Sequence, residues 1–355
     1  MSSTATTLQV VNAGLYATVQ DKGRFGLRHL GIPWSGVLCP TWQILANALL
    51  DIPDNSPVIE CFENGLKLRA DNGAIRIAVV GCKTAVLQVT NDEQKRIYQP
   101  NRSFTLAIGE TLHLVSTGNS KVAVIAVDSL DIPLHLGSTS TYPKAVLGGL
   151  NGKTLAAGDS ININTSGDSR GRVISDKQCQ LPVQFTYQTQ ELRVIAGPQH
   201  GHFSDAGITA FISEEFTLTA ESDRMGVRLN GPKIEHLDAA SKDIISDAIV
   251  PGSIQVPGSG QPIVLLNDSH TAGGYPKVAT VISSDLPLLA VQRAHSVFRF
   301  RLITIDEAIE IRQHEALLIK SAIESMSICV RHKLDTSTLL KSNLIDGVTD
   351  GSEER

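Results

Sequence analysis

A dominant charge is the first thing this chain lacks. Its 31 Lys and Arg stand against 36 Asp and Glu, a formal net charge of −5 over 355 residues, with no long block of either sign. Phosphate contacts need a concentrated basic face, so a dedicated nucleic-acid binder is excluded. Aromatic residues are scarce, at 5%. Long apolar runs are missing as well: stretches such as Val122 to Val127 and Ile263 to Leu266 fall far short of the ~20 residues that span a bilayer as a helix. No membrane association is expected. Met1 to Thr7 is rich in Ser, Thr and Ala, without a basic or apolar leader segment, which leaves the cytoplasm as the expected location. The five cysteines, Cys39, Cys61, Cys82, Cys179 and Cys329, include no Cys-x-x-Cys pair. Such a sparse, odd set fits a reducing compartment in which most thiols serve as small buried apolar side chains.

What the chain does have is turn formers and apolar residues. Hydrophobic residues make up 42% and charged ones 19%, with 29 Gly and 15 Pro, a composition of globular domains built from many short strands. At ~100–200 residues per domain the length implies two domains. Strand-like runs occupy Leu8–Val11, Val58–Phe62, Ile75–Val80, Ala85–Val89, Ser103–Leu106, Thr111–Val115 and Val122–Val127, several separated by hairpin-length turns such as Asn72-Gly73 and Gly109-Glu110. The Ile75–Val80 run is apolar nearly throughout, as a strand covered on both faces must be. One helix, Pro40–Leu50, is expected to plug an end of the first barrel. Hydrophobicity falls between Ser160 and Gln190, which puts a domain boundary near residue 185. A second strand-rich half starts at Leu192. Thr304-Ile305-Asp306-Glu307 forms a capping box that opens a helix running to about Ala322. The expected organisation is an N-terminal domain over 1–185, a C-terminal domain with a terminal helix over 186–333, and a polar disordered tail over 334–355.

Several motifs fail on inspection. Gly148-Gly149-Leu150-Asn151-Gly152-Lys153-Thr154 suggests a phosphate loop, but that pattern needs glycine five positions before its second Gly, and Leu147 stands there. His200-Gly201-His202 lacks a carboxylate at a spacing that completes a metal triad, so no metal is expected. There is no Gly-x-Ser-x-Gly elbow, and no Met-Lys-Met, the usual setting for covalently attached biotin.

Three segments combine glycine turns with polar side chains that core packing does not require. The first is Thr18-Val19-Gln20-Asp21-Lys22-Gly23-Arg24-Phe25-Gly26, followed by Gly31 to Gly36 and by Asn47. The second is Gly197-Pro198-Gln199 with Glu221-Ser222-Asp223-Arg224-Met225-Gly226. The third is Gly252-Ser253-Ile254-Gln255-Val256-Pro257, then Thr271-Ala272-Gly273-Gly274-Tyr275-Pro276-Lys277, with Asp285 shortly after. Arg24 and Arg224 offer forked donors for a carboxylate, carbamate or phosphate, and Gln20, Asn47, Gln199 and Gln255 are suited to an amide or lactam edge. Gly273 and Gly274 let a ligand approach the backbone, Tyr275 and Lys277 are donors for an oxyanion, and Asp285 is a candidate proton acceptor or partner of Lys277. Each also has a plainer reading: Asp21 with Arg24 and Asp223 with Arg224 as surface pairs, Ser222-Asp223 as a turn cap, Gln255 as an ordinary strand residue.

In order and spacing these segments, together with Gly137-Ser138-Thr139-Ser140-Thr141 and the Gly148 to Lys153 run, resemble the C subunit of the prokaryotic ATP-dependent 5-oxoprolinase. That family is also known as the KipI-antagonist or allophanate hydrolase subunit 2 family, and its module recurs in the carboxyltransferase domain of urea carboxylase. The resemblance runs from about Leu8 to about Ala316. It implies a mainly β protein of two tandem β-barrel domains of cyclophilin-like type with a few short helices. It further implies the KipI-like B subunit and the A subunit of 5-oxoprolinase as partners, ATP used at the level of the complex, and a small amide or lactam substrate. Arg24, Arg224, Tyr275, Lys277 and Asp285 become candidate catalytic residues. Gln20, Asn47, Gln199, Ser222, Gln255, Thr271, Gly273 and Gly274 become candidate substrate-binding residues. The implied activity is opening of 5-oxo-L-proline to L-glutamate. The alternatives are carboxyl transfer from a separate biotin carrier to urea or a related amide, and non-enzymatic regulation of a kinase-inhibitor-like partner. The sequence departs from the family pattern at Cys39, at Asp128-Ser129 and at His270, exchanging an acidic residue for a thiol in the first case and introducing a near-neutral titrating group in the last.

Overall fold

The apolar runs of the first half become strands that need cover on two sides, and this requirement shapes the molecule. The computed structural model describes residues 5–91, 94–164, 178–182 and 190–329. Strands β1 (Thr7–Ala13) and β2 (Tyr16–Gln20) precede helix α1 (Pro40–Leu50). There follow β3 (Val58–Phe62), β4 (Leu66–Asp71), β5 (Ile75–Gly81), β6 (Val86–Thr90), β7 (Lys95–Tyr98), β8 (Arg102–Leu106), β9 (Thr111–Ser116), β10 (Val122–Val127), β11 (Ser160–Asn162) and β12 (Gln178–Gln180). The second half runs β13 (Glu191–Ala196), α2 (Asp205–Ser213), β14 (Phe216–Ser222), β15 (Gly226–Asn230), β16 (Asp247–Ala248), β17 (Ser253–Gln255), β18 (Ile263–Leu265), β19 (Ala272–Gly273) and β20 (Lys277–Val281). It ends with α3 (Leu286–Ala290), β21 (Val297–Leu302), α4 (Ile305–Glu324) and β22 (Ser327–Cys329).

The chain is mainly β with few helices, as the sequence implies. The closed barrel lies in the second half, in the order β13-β20-β17-β18-β15-β14-β21, sealed by the parallel pairing of β13 with β21. The first half forms a six-stranded sheet, β11-β1-β4-β9-β6-β7, and a seven-stranded sheet, β2-β3-β10-β5-β8-β12-β22. Alternation along β10 explains how they stack. Ala123, Ile125 and Val127 join the core shared with the six-stranded sheet, whereas Val122, Val124 and Ala126 face the core that holds α1 and the barrel. Helix α1 therefore covers the outer face of the seven-stranded sheet instead of plugging a barrel end: a strand apolar on both sides leaves a second face that only α1 and the barrel can bury. Pro40 sits in the first turn of α1, where its missing N–H costs nothing.

The apolar core under α1 is continuous with that of the barrel, from Val37 and Leu45 to Phe216 and Phe300. Helix α4 straps the halves together. Its Glu315 accepts from Thr41 Oγ1 of α1 (3.0 Å) and from Ser284 Oγ just before α3 (2.7 Å). The capping box forms: Glu307 N–H donates to Thr304 Oγ1 and Thr304 N–H to Glu307 Oε2. Strand β22 then returns to the first half and pairs with β12. The boundary near residue 185 and the tail over 334–355 lie outside the described residues. Among the described residues no helix is long and apolar enough to cross a membrane.

Candidate functional site

Polar side chains collect where the halves meet. Past the end of β2, the buried Asp21 accepts from Ser138 Oγ (2.6 Å), Ser140 Oγ (2.5 Å), Gly23 N–H (2.8 Å) and Thr139 N–H (2.7 Å). Burial disfavours the charge, but these donors outweigh it and hold the carboxyl below the usual aspartate range. Asp21 thus ties loop 138–140 to the loop that carries Arg24, in place of the surface pair its spacing suggested. Arg24 is 1% exposed. Its Nε donates to His135 O (3.1 Å) and its Nη2 to Ser140 O, while Nη1 has no partner. Gly148 (φ 70°) is needed here, because a Cβ would stand 2.1 Å from Arg24 Nη2 and 2.0 Å from Ser140 O.

Arg224, on the turn between β14 and β15, is fully engaged. Nε and Nη2 donate to Asp268 (3.0 and 3.3 Å), Nη1 to Glu60 of β3, and Nη2 also to Gly36 O. Burial opposes the guanidinium charge, and the Asp268 and Glu60 carboxylates more than restore it. Burial also pushes Glu60 upward, opposed by Arg224 and by the Leu38 N–H (2.7 Å). Asp223 does not pair with Arg224; it caps the turn through the N–H groups of Met225 and Gly226. Beside this knot Lys121 donates from Nζ to Ser222 Oγ (2.7 Å), and burial lowers its ammonium to about 8.

On the barrel side Lys277 is 3% exposed at its side chain. Its Nζ donates to Asp247 Oδ2 (2.6 Å) and Ala248 O (2.7 Å), and Gln199 joins both partners, accepting from Lys277 N–H (3.3 Å) and donating to Asp247 (3.1 Å). The bond from Lys277 is the chief cause holding the Asp247 carboxyl below its ordinary range. Gln255 stands opposite Lys277 in the β17–β20 register, with Nε2 buried and unpartnered. Gly273 leaves room for it: a Cβ there would lie 2.5 Å from that nitrogen. Arg28 bridges the clusters from the first half, donating to Ile249 O (2.8 Å) and His270 O (2.7 Å) and lying 5.6 Å from the Trp34 ring centroid. Burial lowers its guanidinium, and its Nη1 is unpartnered.

On these segments six buried polar atoms have no partner among the described residues: Arg24 Nη1, Arg28 Nη1, Ser35 Oγ, Thr139 Oγ1, Ser269 Oγ and Gln255 Nε2. Arg24 N–H donates to Trp34 O, and Ser35 N–H to Asn267 O, so these groups lie on loops in mutual contact. Buried donors left open are costly unless something fills the place, and here two cationic forks and an amide suit a carboxylate and a carbonyl.

Other residues singled out by sequence sit elsewhere or are occupied. Gln20 is saturated by Thr18, Thr141 O and Gly36 N–H. Asn47 Nδ2 holds Asp54 O and Ser56 O beyond the end of α1. Tyr275 is 41% exposed at the rim; Gly274 faces Ile244 O, and Thr271 O accepts from Ile249 N–H. Asp285 accepts from Arg193 N–H, Nε and Nη2 at the opposite end of β20 from Lys277, because an extended strand climbs ~3.3 Å per residue. A 610 Å³ cavity lies there, under α4. His200 and His202 turn to different carbonyls, Val278 O and Ser241 O, and no cluster among the described residues is arranged to hold a metal ion. Gly148 to Thr154 runs through turns without a following helix, so it lacks the helix N-terminus that holds a nucleotide phosphate. Sequence reading missed Glu60, Arg28, Asp247, Asp268 and Lys121. Glu60 carried a signal, being the one charge inside the apolar run Val58–Phe62.

Fold and site together define a two-part β protein whose polar site is shared between a stacked-sheet half and a barrel half. Residues 30–302 match the carboxyltransferase domain, subdomain A and B, and the chain belongs to that family. The C subunit of the 5-oxoprolinase of Escherichia coli (strain K12) is 30% identical over 310 residues, which is 87% of this chain and 95% of that protein. A urea amidolyase of Lachancea kluyveri is 28% identical over 88% of this chain, a span that makes up 18% of that longer protein. The crystal structure of the Kluyveromyces lactis urea carboxylase shares the fold, with a TM-score of 0.80 at 23% identity over 90% of this chain and 29% of that one.

Proposed function

We propose that this chain is the C subunit of an ATP-dependent 5-oxoprolinase of the cytoplasm, opening 5-oxo-L-proline to L-glutamate with the A and B subunits. The observation that carries the reading is the set of open buried donors on the loops where the halves meet, in a chain that matches the C subunit of a 5-oxoprolinase along most of its length. The substrate carboxylate pairs with the free N–H groups of Arg24 and Arg28. The lactam carbonyl lies against Gln255 Nε2, with Lys277 beside it. In the net reaction the lactam C–N bond breaks, water supplies the new carboxylate oxygen and both its protons pass to the freed nitrogen, which leaves as the ammonium; a second water cleaves ATP to ADP and phosphate and releases a proton to solvent. ATP is used at the level of the assembly. Arg224 holds the two walls of the site together.

Omission tests the assignment. The A and B subunits with this chain should turn over ATP in response to 5-oxoproline, and leaving this chain out should abolish the response; unchanged turnover would contradict the reading. The match to a urea amidolyase favours a second reading, carboxyl transfer from a separate biotin carrier to a urea-like amide. It predicts that labelled bicarbonate enters urea only when this chain is present.

A further inference from the structure

Two loops at Arg24 carry no acidic side chain. Segments 22–36 and 132–158 contain no Asp or Glu, although the whole chain carries −5. They lie side by side, joined through Asp21 to Ser138 and Ser140 and through Arg24 to His135 O. Lys22, His29, His135, Lys144 and Lys153 are exposed on them. So are Phe25, Leu30, Leu134, Leu136 and Val146, each 55–68% exposed. Exposed apolar side chains interspersed with basic ones, on adjoining loops without a carboxylate, have the composition of an interface, not of a surface selected only for solubility.

Backbone conformation adds an independent observation. Leu136 (φ 53°) and Val146 (φ 52°) occupy the left-handed region, which bulky and β-branched side chains avoid. They are the two apolar residues among the described non-glycine residues with positive φ, and both present their side chains outward. Strain that buries nothing within the chain points to a role outside it.

We propose that this face is the docking surface for the companion B protein of the assembly, which meets it with an apolar centre rimmed by carboxylates. The proposal rests on the multi-subunit reading above and locates the contact. Charge decides the occupant. A two-fold contact with a second copy would set this basic face against itself. A single-stranded nucleic acid wants several stacking rings, and Phe25 is the one exposed aromatic among these five apolar residues.

Hydrogen–deuterium exchange on the full chain, with and without the purified B protein of the same organism, tests this. Exchange should slow at residues 25–31 and 133–147. The double variant Leu136→Asn, Val146→Asn removes the apolar tips while placing at both sites a residue that accepts left-handed backbone. It should fold at least as stably and bind the B protein at least about tenfold more weakly. Lys22→Glu with Lys153→Glu should weaken binding and flatten its salt dependence. Absence of a complex, protection elsewhere, equal binding by the variants, or occupation of the face by a second copy, RNA or anionic vesicles would overturn the proposal. Turnover of ATP with 5-oxoproline in the same samples keeps the two readings apart. A complex protected here without turnover retires the reaction alone; turnover with protection elsewhere retires the docking face alone.

Discussion

Arg224 shows how a residue legible as functional turns out to hold two halves together. Every terminal nitrogen is committed, to Asp268, Glu60 and Gly36 O. Removing the cation while leaving two buried carboxylates is the costly way to break such a network. Arg224→Ala should lower unfolding free energy by about 3–5 kcal/mol in urea titration, a larger loss than for any exposed pair. The glycine-flanked pattern made Arg224 visible, but nothing local could show that its partners lie 164 residues upstream and 44 downstream. Lys121 was invisible for the same reason, since only the tertiary fold buries it against Ser222. With its folded value lowered to about 8 and an unfolded lysine at ~10.4, the folded state binds fewer protons across that window. Stability relative to Lys121→Met should therefore rise with pH from about 8 to 10.4, by on the order of 3 kcal/mol, and stay level below pH 8. Denaturant midpoints of both proteins at pH 7, 9 and 10.5 would check this; parallel curves would contradict it.

At the scale of elements the sequence was most readable where periodicity and caps act locally. Strands β3 and β10 and helix α1 begin and end where their apolar runs do, and the Thr304 box opens α4. Thr304→Ala should cost about 1 kcal/mol in the same titration by leaving the Glu307 N–H without its side-chain acceptor. Helix α2 was missed because Asp205–Ser213 is short and buries only Gly207 and Phe211, too weak a stripe to announce a helix. The place of α1 was misjudged for a different reason. An amphipathic face says that something will be covered, and which face of which sheet is decided by the partner. Asp285 belongs here too: eight residues after Lys277 it looked near, yet β20 is extended and carries it to the far end of the barrel, onto Arg193.

For the whole molecule the decisive feature is one apolar core running from α1 into the barrel, reinforced by Arg224, Arg28 and the α4 strap. The sequence suggests two units divided near residue 185, but the described residues of the two halves share an interior. The chain should unfold in a single transition with coincident tryptophan fluorescence and circular dichroism curves, and residues 1–185 or 186–355 expressed alone should be insoluble or molten. Two resolved transitions would argue for independent halves. The shared interior also explains why the site was only half legible: its residue types stood out in the glycine-rich segments, but their grouping depends on how the halves dock.

That grouping is tested most directly by ATP turnover in response to 5-oxoproline, measured on the assembled complex with Lys277→Ala and with Asp285→Asn, each checked for intact assembly. The junction account predicts that Lys277→Ala loses turnover and Asp285→Asn keeps it at some cost in stability. Retained turnover in Lys277→Ala, together with its loss in Asp285→Asn, would move the chemistry to the far end of the barrel and contradict the account.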